Sequence, residues 1–196
     1  MIPICCTLVI NDIWKIDCGK SLGLPEVRCI LPFGRAPNAF VTMTENAPSV
    51  AVFGTGNWGL TLADIAARSG ARVSLYCRRE EVYHALVERR QHPEFLPHLV
   101  LHRRVVPTMD IEAAAVSSSH WIIVVPSQYL RQMARHLRPW IHQDLQVLSA
   151  VKGLEIGTHL RMSEVLRDEW GDDKDGVVGV LSGPNLAFDI SQGLPE

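Results

Sequence analysis

Three glycines in the run Gly54-Thr55-Gly56-Asn57-Trp58-Gly59 have the spacing that brings a main chain up to a pyrophosphate. Gly54 can make the tight turn out of a strand, and a bare Gly56 lets the backbone approach the anion. Gly59 lets the following helix pack close to that strand, while free N–H groups at the helix start face the phosphates. About 20 residues further on, a dinucleotide site that favours a free ribose usually places an Asp or Glu. Here the chain reads Tyr76-Cys77-Arg78-Arg79-Glu80-Glu81 instead. Two guanidiniums suit a 2′-phosphate through bidentate, charge-assisted hydrogen bonds, so NADP is favoured over NAD. The competing reading is a solvated helix start in which Arg79 pairs Glu80 or Glu81.

Three further segments carry polar groups at places where a strand gives way to a turn. Val124-Val125-Pro126-Ser127-Gln128 predicts a rigid turn with Ser127 capping a helix. In Ser149-Ala150-Val151-Lys152-Gly153-Leu154-Glu155 a lysine closes an apolar run, in a chain with only 4 Lys among its 19 Lys and Arg residues. Its ammonium is a compact donor able to reach a substrate oxygen and a phosphate, although a strand-end lysine can equally lie along the surface. Leu181-Ser182-Gly183-Pro184-Asn185-Leu186-Ala187 predicts a turn with Pro184 at a first helical position, and so a second helix start facing an anion. The eight histidines, His84, His92, His98, His102, His120, His136, His142 and His159, are scattered and fit surface or structural places. No catalytic base of a usual kind and no nucleophile pair stands out.

The elements that must position these groups alternate. Val50–Phe53 is a short apolar run suited to a buried parallel strand, and a helical period follows to Gly70. Strands are then expected at 71–76, 104–106, 121–125, 145–150 and 177–181. Helices are expected at 80–90, 111–116, 127–138 and 158–169, with an exposed turn at 172–176. Such alternation implies an α/β fold, a doubly wound, mostly parallel, Rossmann-like sheet with helices on both faces. In that architecture ligands sit beyond the carboxyl ends of the strands, where all the segments above fall.

Residues 1–48 differ. They show no sustained period, and Pro or Gly recurs at Pro3, Gly19, Gly23, Pro25, Pro32, Gly34, Pro37 and Pro48. They are expected to be an irregular extension, with Met43 as the true start and 49–196 as the dinucleotide-binding domain. Four of the five cysteines, Cys5, Cys6, Cys18 and Cys29, lie in this extension, with no C-x-x-C pair and no histidine at ligand spacing. Reduced thiols fit better than zinc or disulfides, and no metal is expected. At 47% hydrophobic, 20% charged and a net charge of −2, the composition suits a globular domain and gives no sign of nucleic-acid binding. No apolar run nears the ~18 residues needed to span a bilayer. The first 20 residues make a poor signal peptide, which leaves the cytoplasm as the default compartment.

Taken in order, GTGNWGLTLA, Arg78-Arg79, PEFLP, VVPSQYLR, VKGLE and LSGPNLAFDISQGLPE resemble the bacterial NAD(P)-dependent glycerol-3-phosphate dehydrogenases over residues 49–196. The resemblance implies reduction of dihydroxyacetone phosphate to sn-glycerol 3-phosphate for phospholipid biosynthesis. Beside Gly54, Gly56 and Gly59 of the glycine run, it implies cofactor contacts at Asn57, Trp58, Arg78, Arg79, Lys152 and Ala187, and substrate contacts at Lys152, Gly183 and Asn185. Asn57 stands where the family commonly has Ser, and Asn185 where it often has Ser or Thr; both still offer hydrogen bonds. Family members continue after GLP into a helical domain carrying the main proton-transfer lysine, and full-length members leave room for a homodimer. On this resemblance the chain is a cofactor-binding fragment, expected to have little activity alone. A regulatory dinucleotide module without turnover, or another phospho-sugar or hydroxyacid dehydrogenase, is the alternative.

Overall fold

A computed structural model describes residues 47–171 and 177–193; the expected extension up to residue 46, Met43, its four cysteines and the turn at 172–176 lie outside these. The first strand, β1 (Ser49–Phe53), is the centre of the molecule. Its side chains alternate between two buried faces: Val50 and Val52 join one core, Ala51 and Phe53 the other, all at most 1% exposed. A strand apolar on both faces must be covered on both, which is the condition a parallel sheet satisfies. The strands are β2 (Arg72–Tyr76), β3 (Val105–Thr108), β4 (His120–Ile123), β5 (Gln146–Ser149) and β6 (Val177–Val180). Their order is β3-β2-β1-β4-β5-β6, and every pairing is parallel, with Val52 opposite Leu75 on one side and Ile122 on the other. The chain reverses direction across the sheet between β1 and β4, so the ligand crevice opens at the carboxyl ends of those two strands.

Helices α1 (Asn57–Arg68) and α2 (Glu80–Arg89) pack on the first face with Leu60, Ala63, Ala67, Val82 and Leu86. Helices α3 (Ile111–Val116), α4 (Leu130–Leu137) and α5 (Met162–Trp170) cover the second with Ala114, Leu130, Ala134, Val165 and Leu166. A short α6 (Ala187–Ser191) rests against α1. Asp64 of α1 is buried, yet its carboxylate takes the Arg68 guanidinium and the His102 main-chain N–H, which ties α1 to the approach to β3. No helix among the described residues is long and apolar enough to cross a membrane.

Several local expectations change. Strand β3 continues through Pro107 instead of stopping at Val106, because β3 is an edge strand where a missing N–H costs no ladder bond. Ser127 does not cap α4; it opens a 3₁₀ turn, Ser127–Tyr129, whose preceding residue Pro126 offers no side-chain cap. The helix expected at 158–169 begins at Met162, since Leu154 and Arg161 form an antiparallel bridge and Glu155 N–H donates to Leu160 O at 2.9 Å. Pro184 lies three residues before α6, which starts at Ala187, so no helix N-terminus is formed at the proline. Gly183 is instead held through its carbonyl by the Lys152 side chain of another segment.

Candidate functional site

The glycine run leaves β1 at the mouth of the crevice. Gly54 has φ +135°, and a Cβ there would stand 2.4 Å from Val124 O, the main chain just past β4. Gly59 is tighter still, since its Cβ would meet Gly54 O at 2.1 Å. These two glycines therefore press β1, its turn and α1 together. Gly56 differs: nothing lies within 4 Å of where its Cβ would be. It is the N-cap of α1, and neither a side-chain cap nor an acidic first-turn residue spends the helix's N-terminal charge. The opening beside Gly56 fits an approaching pyrophosphate. Trp58 is half-buried against the first core, and its Nε1 is buried without an acceptor among the described residues.

Lys152 reaches across to the last loop. Its Nζ donates to Gly183 O at 2.8 Å, leaving two of its three N–H groups for a ligand. Gly153, at φ +104°, turns the chain where a Cβ would lie 3.7 Å from Ser127 Oγ. Asn185 Oδ1 stands 3.1 Å from the Cβ position of Gly183, so Lys152, Gly183 and Asn185 form one cluster. Ala187 is joined to the glycine loop by Thr61, a fully buried hydroxyl 2.9 Å from Asn57 O and 3.2 Å from Ala187 O. Sequence reasoning missed Thr61; its signal is a hydroxyl among the core-facing positions of α1. It also missed Gln128, whose Nε2 donates to Leu154 O and whose Oε1 accepts from Ile156 N–H, both at 3.0 Å, bracing the loop that follows Lys152.

Arg78 and Arg79 diverge. The Arg78 guanidinium lies 5.5 Å from the Tyr129 ring centroid, bridging the end of β2 to the turn after β4. Arg79 forms a two-pronged pair with Glu94, at 3.2 and 2.9 Å, and a contact with Glu81 at 3.2 Å. Glu94 belongs to PEFLP and lies outside the first set of candidate residues. Beside it His98 Nε2 sits 2.7 Å from Ser191 Oγ. Because Ser191 gives its hydroxyl hydrogen to Phe188 O at 2.7 Å, His98 is the donor and fastens this loop to α6. Cys77 is buried at the end of β2; burial pushes its thiol up to about 12, so it stays protonated and unreactive at neutral pH.

Behind the Lys152 loop lies a charged cluster. Arg131 on α4 bonds Glu155, Asp168 and Glu169, and Arg135 adds a second bond to Glu169. The Arg131 guanidinium and the Thr158 hydroxyl hold the Glu155 carboxyl down at about 2. A carboxyl depressed in the folded state stabilises above its unfolded value and loses that contribution as pH falls toward the folded value. The melting temperature should therefore drop between about pH 4.3, the ordinary Glu value, and pH 2. Glu155→Gln should flatten that part of a melting curve series measured against pH; an unchanged acid limb would remove Glu155 from the account.

Residues 49–196 match the sequence family described as NAD-dependent glycerol-3-phosphate dehydrogenase N-terminus. A glycerol-3-phosphate dehydrogenase [NAD(P)+] of Moorella thermoacetica is 40% identical over 147 residues, covering 75% of this chain and 43% of that protein. Its counterpart in Corynebacterium glutamicum strain R is 37% identical, with 75% and 44% covered. Among solved structures, the glycerol-3-phosphate dehydrogenase of Coxiella burnetii superposes with a TM-score of 0.70 at 27% identity, covering 76% of this chain and 45% of that one. The chain thus spans less than half the length of these relatives. With its glycine loop, strand order and the Lys152–Gly183 cluster, the chain belongs to the NAD-dependent glycerol-3-phosphate dehydrogenase N-terminal family.

Proposed function

We propose that residues 49–196 bind NADPH or NADH in the β1–β4 crevice and contribute to reduction of dihydroxyacetone phosphate to sn-glycerol 3-phosphate, a precursor of phospholipids, in the cytoplasm. The observation that carries this reading is the Lys152 Nζ contact with Gly183 O, which ties an ammonium past the end of β5 to the loop after β6 that also holds Asn185. When bound, the dinucleotide supplies a hydride to the substrate carbonyl carbon. The chain's own residues bind and orient. Gly56 and the start of α1 receive the pyrophosphate, with Asn57 and Trp58 beside it and Gly54 and Gly59 fixing the loop. Lys152 places positive charge on the carbonyl oxygen, where negative charge grows during reduction. Gly183 and Asn185 contact the substrate, and Ala187 lines the cofactor side.

Arg78 and Arg79 take the adenosine 2′-phosphate in this reading, so NADPH is the preferred partner. Changing both to Ala should weaken NADPH binding at least about tenfold, given roughly 1.5–3 kcal/mol per hydrogen bond to a charged group. NADH, without that phosphate, should change little, and the NADPH loss should shrink at high salt. Titration followed by nicotinamide fluorescence measures both. Equal losses for the two cofactors would reduce the arginines to a helix start and remove the NADPH preference.

A further inference from the structure

Arg79 is already engaged before any ligand arrives. Its two terminal nitrogens face the two carboxylate oxygens of Glu94 in the fork geometry that a phosphate would use. Glu94 is fifteen positions away in sequence, on the loop that follows α2. That loop is built firmly at this point. The main-chain N–H groups of Glu94 and Phe95 both donate to His92 Nδ1 at 3.0 Å, and the His92 ring stacks on Phe95 at 4.7 Å. His92 is buried, and burial holds its imidazole below the ordinary value, so Nδ1 remains an acceptor at neutral pH. The Arg79 guanidinium in turn keeps the Glu94 carboxyl below the usual carboxylate range, and the pair stays charged.

We propose that Glu94 sets the choice between the two dinucleotides by occupying Arg79 as an internal rival of the 2′-phosphate. This rests on the reading that Arg79 faces the adenosine ribose. A 2′-phosphate must displace Glu94 from the guanidinium fork before it can use the same two N–H groups. A dinucleotide with a free 2′-hydroxyl leaves the pair intact. Glu94 thus weakens NADPH selectively and brings the two cofactors closer together in affinity, although the tip of β2 carries no acidic residue.

The test is titration of the 196-residue chain with NADPH and with NADH, read by nicotinamide fluorescence, for wild type, Glu94→Gln, Arg79→Ala and the double variant. Glu94→Gln is expected to tighten NADPH about fivefold, the scale of a half-exposed ion pair, and to leave NADH within about twofold. That gain should vanish in the Arg79→Ala background, since the carboxylate acts through the guanidinium. Glu94→Asp, which keeps the charge on a shorter arm, should give a ratio between the two. Binding of both cofactors at a ratio that Glu94→Gln leaves unmoved, or a gain that persists without Arg79, overturns this inference alone. Binding of neither by the wild type overturns the dinucleotide reading and this inference with it.

Discussion

Gly59→Ala is expected to destabilise the fold by roughly 3–4 kcal/mol, the upper range for overpacking in a closed core. For a domain of this size that corresponds to a fall in melting temperature of about 10 °C. The added methyl would stand 2.1 Å from Gly54 O and 2.9 Å from Gly54 C, both main-chain atoms. No rotamer change relieves such a contact; α1 must move off the end of β1, taking Leu60 and Ala63 out of the first core. Gly56→Ala provides the contrast. Its methyl meets nothing within 4 Å, and its φ of −73° suits any residue. Its melting temperature should fall by no more than about 4 °C, since an N-cap Gly-to-Ala change costs on the order of 1 kcal/mol. If Gly56 faces the pyrophosphate as proposed, dinucleotide affinity should nevertheless fall at least about tenfold, because the methyl would fill that opening. Calorimetry and fluorescence titration on the two variants separate the packing glycine from the ligand glycine. Equal melting temperatures for the two would contradict the packing geometry.

Arg131→Ala should cost about 2–3 kcal/mol, less than a fully buried pair because the guanidinium remains one-fifth exposed. The side chain ties α4 to the Lys152 loop through Glu155 and to α5 through Asp168 and Glu169. Without it the nearly buried Glu155 carboxylate keeps, among the described residues, the Thr158 hydroxyl as its one side-chain hydrogen-bond donor, whereas Glu169 retains Arg135. Arg131→Lys keeps the charge but loses the planar fork that serves both Glu155 oxygens, so an intermediate loss is expected. Urea midpoints for the two variants give the measurement. A midpoint for Arg131→Ala equal to wild type would show that the cluster is surface charge without structural weight.

What the sequence made readable was local. The apolar run 50–53, the glycine spacing and the helical period after it are contiguous, so strand, turn and α1 could be placed within a residue or two. Lys152 stood out because the chain otherwise favours arginine, and the fold does bring it to Gly183. The misjudged elements depended on neighbours distant in sequence. Pro107 ends a strand in isolation, yet β3 runs through it because, among the described residues, the sheet has no further strand on that side. Pro184 and Ser127 each carry the residue type of a helix start, but a lysine contact and a 3₁₀ turn displace the helices downstream. The partnership of Arg79 with Glu94, and that of Thr61 with Ala187, leave no periodic trace at all. They are chosen by where loops meet in space.

The Thr61–Ala187 contact joins residues 126 positions apart. During synthesis the glycine loop leaves the ribosome long before Ala187 has been made, so early chain segments can pair β1 with β2 but cannot close the crevice. Loop-closure entropy rises only slowly with such a separation, by about 0.6 kcal/mol per doubling, so the contact costs little more than a much shorter one. The delay is set by the order of translation: the two halves of the site can meet only after the segments of β4, β5 and β6 have been synthesised. Acquisition of dinucleotide binding by a growing chain would therefore report the moment at which α6 docks on α1.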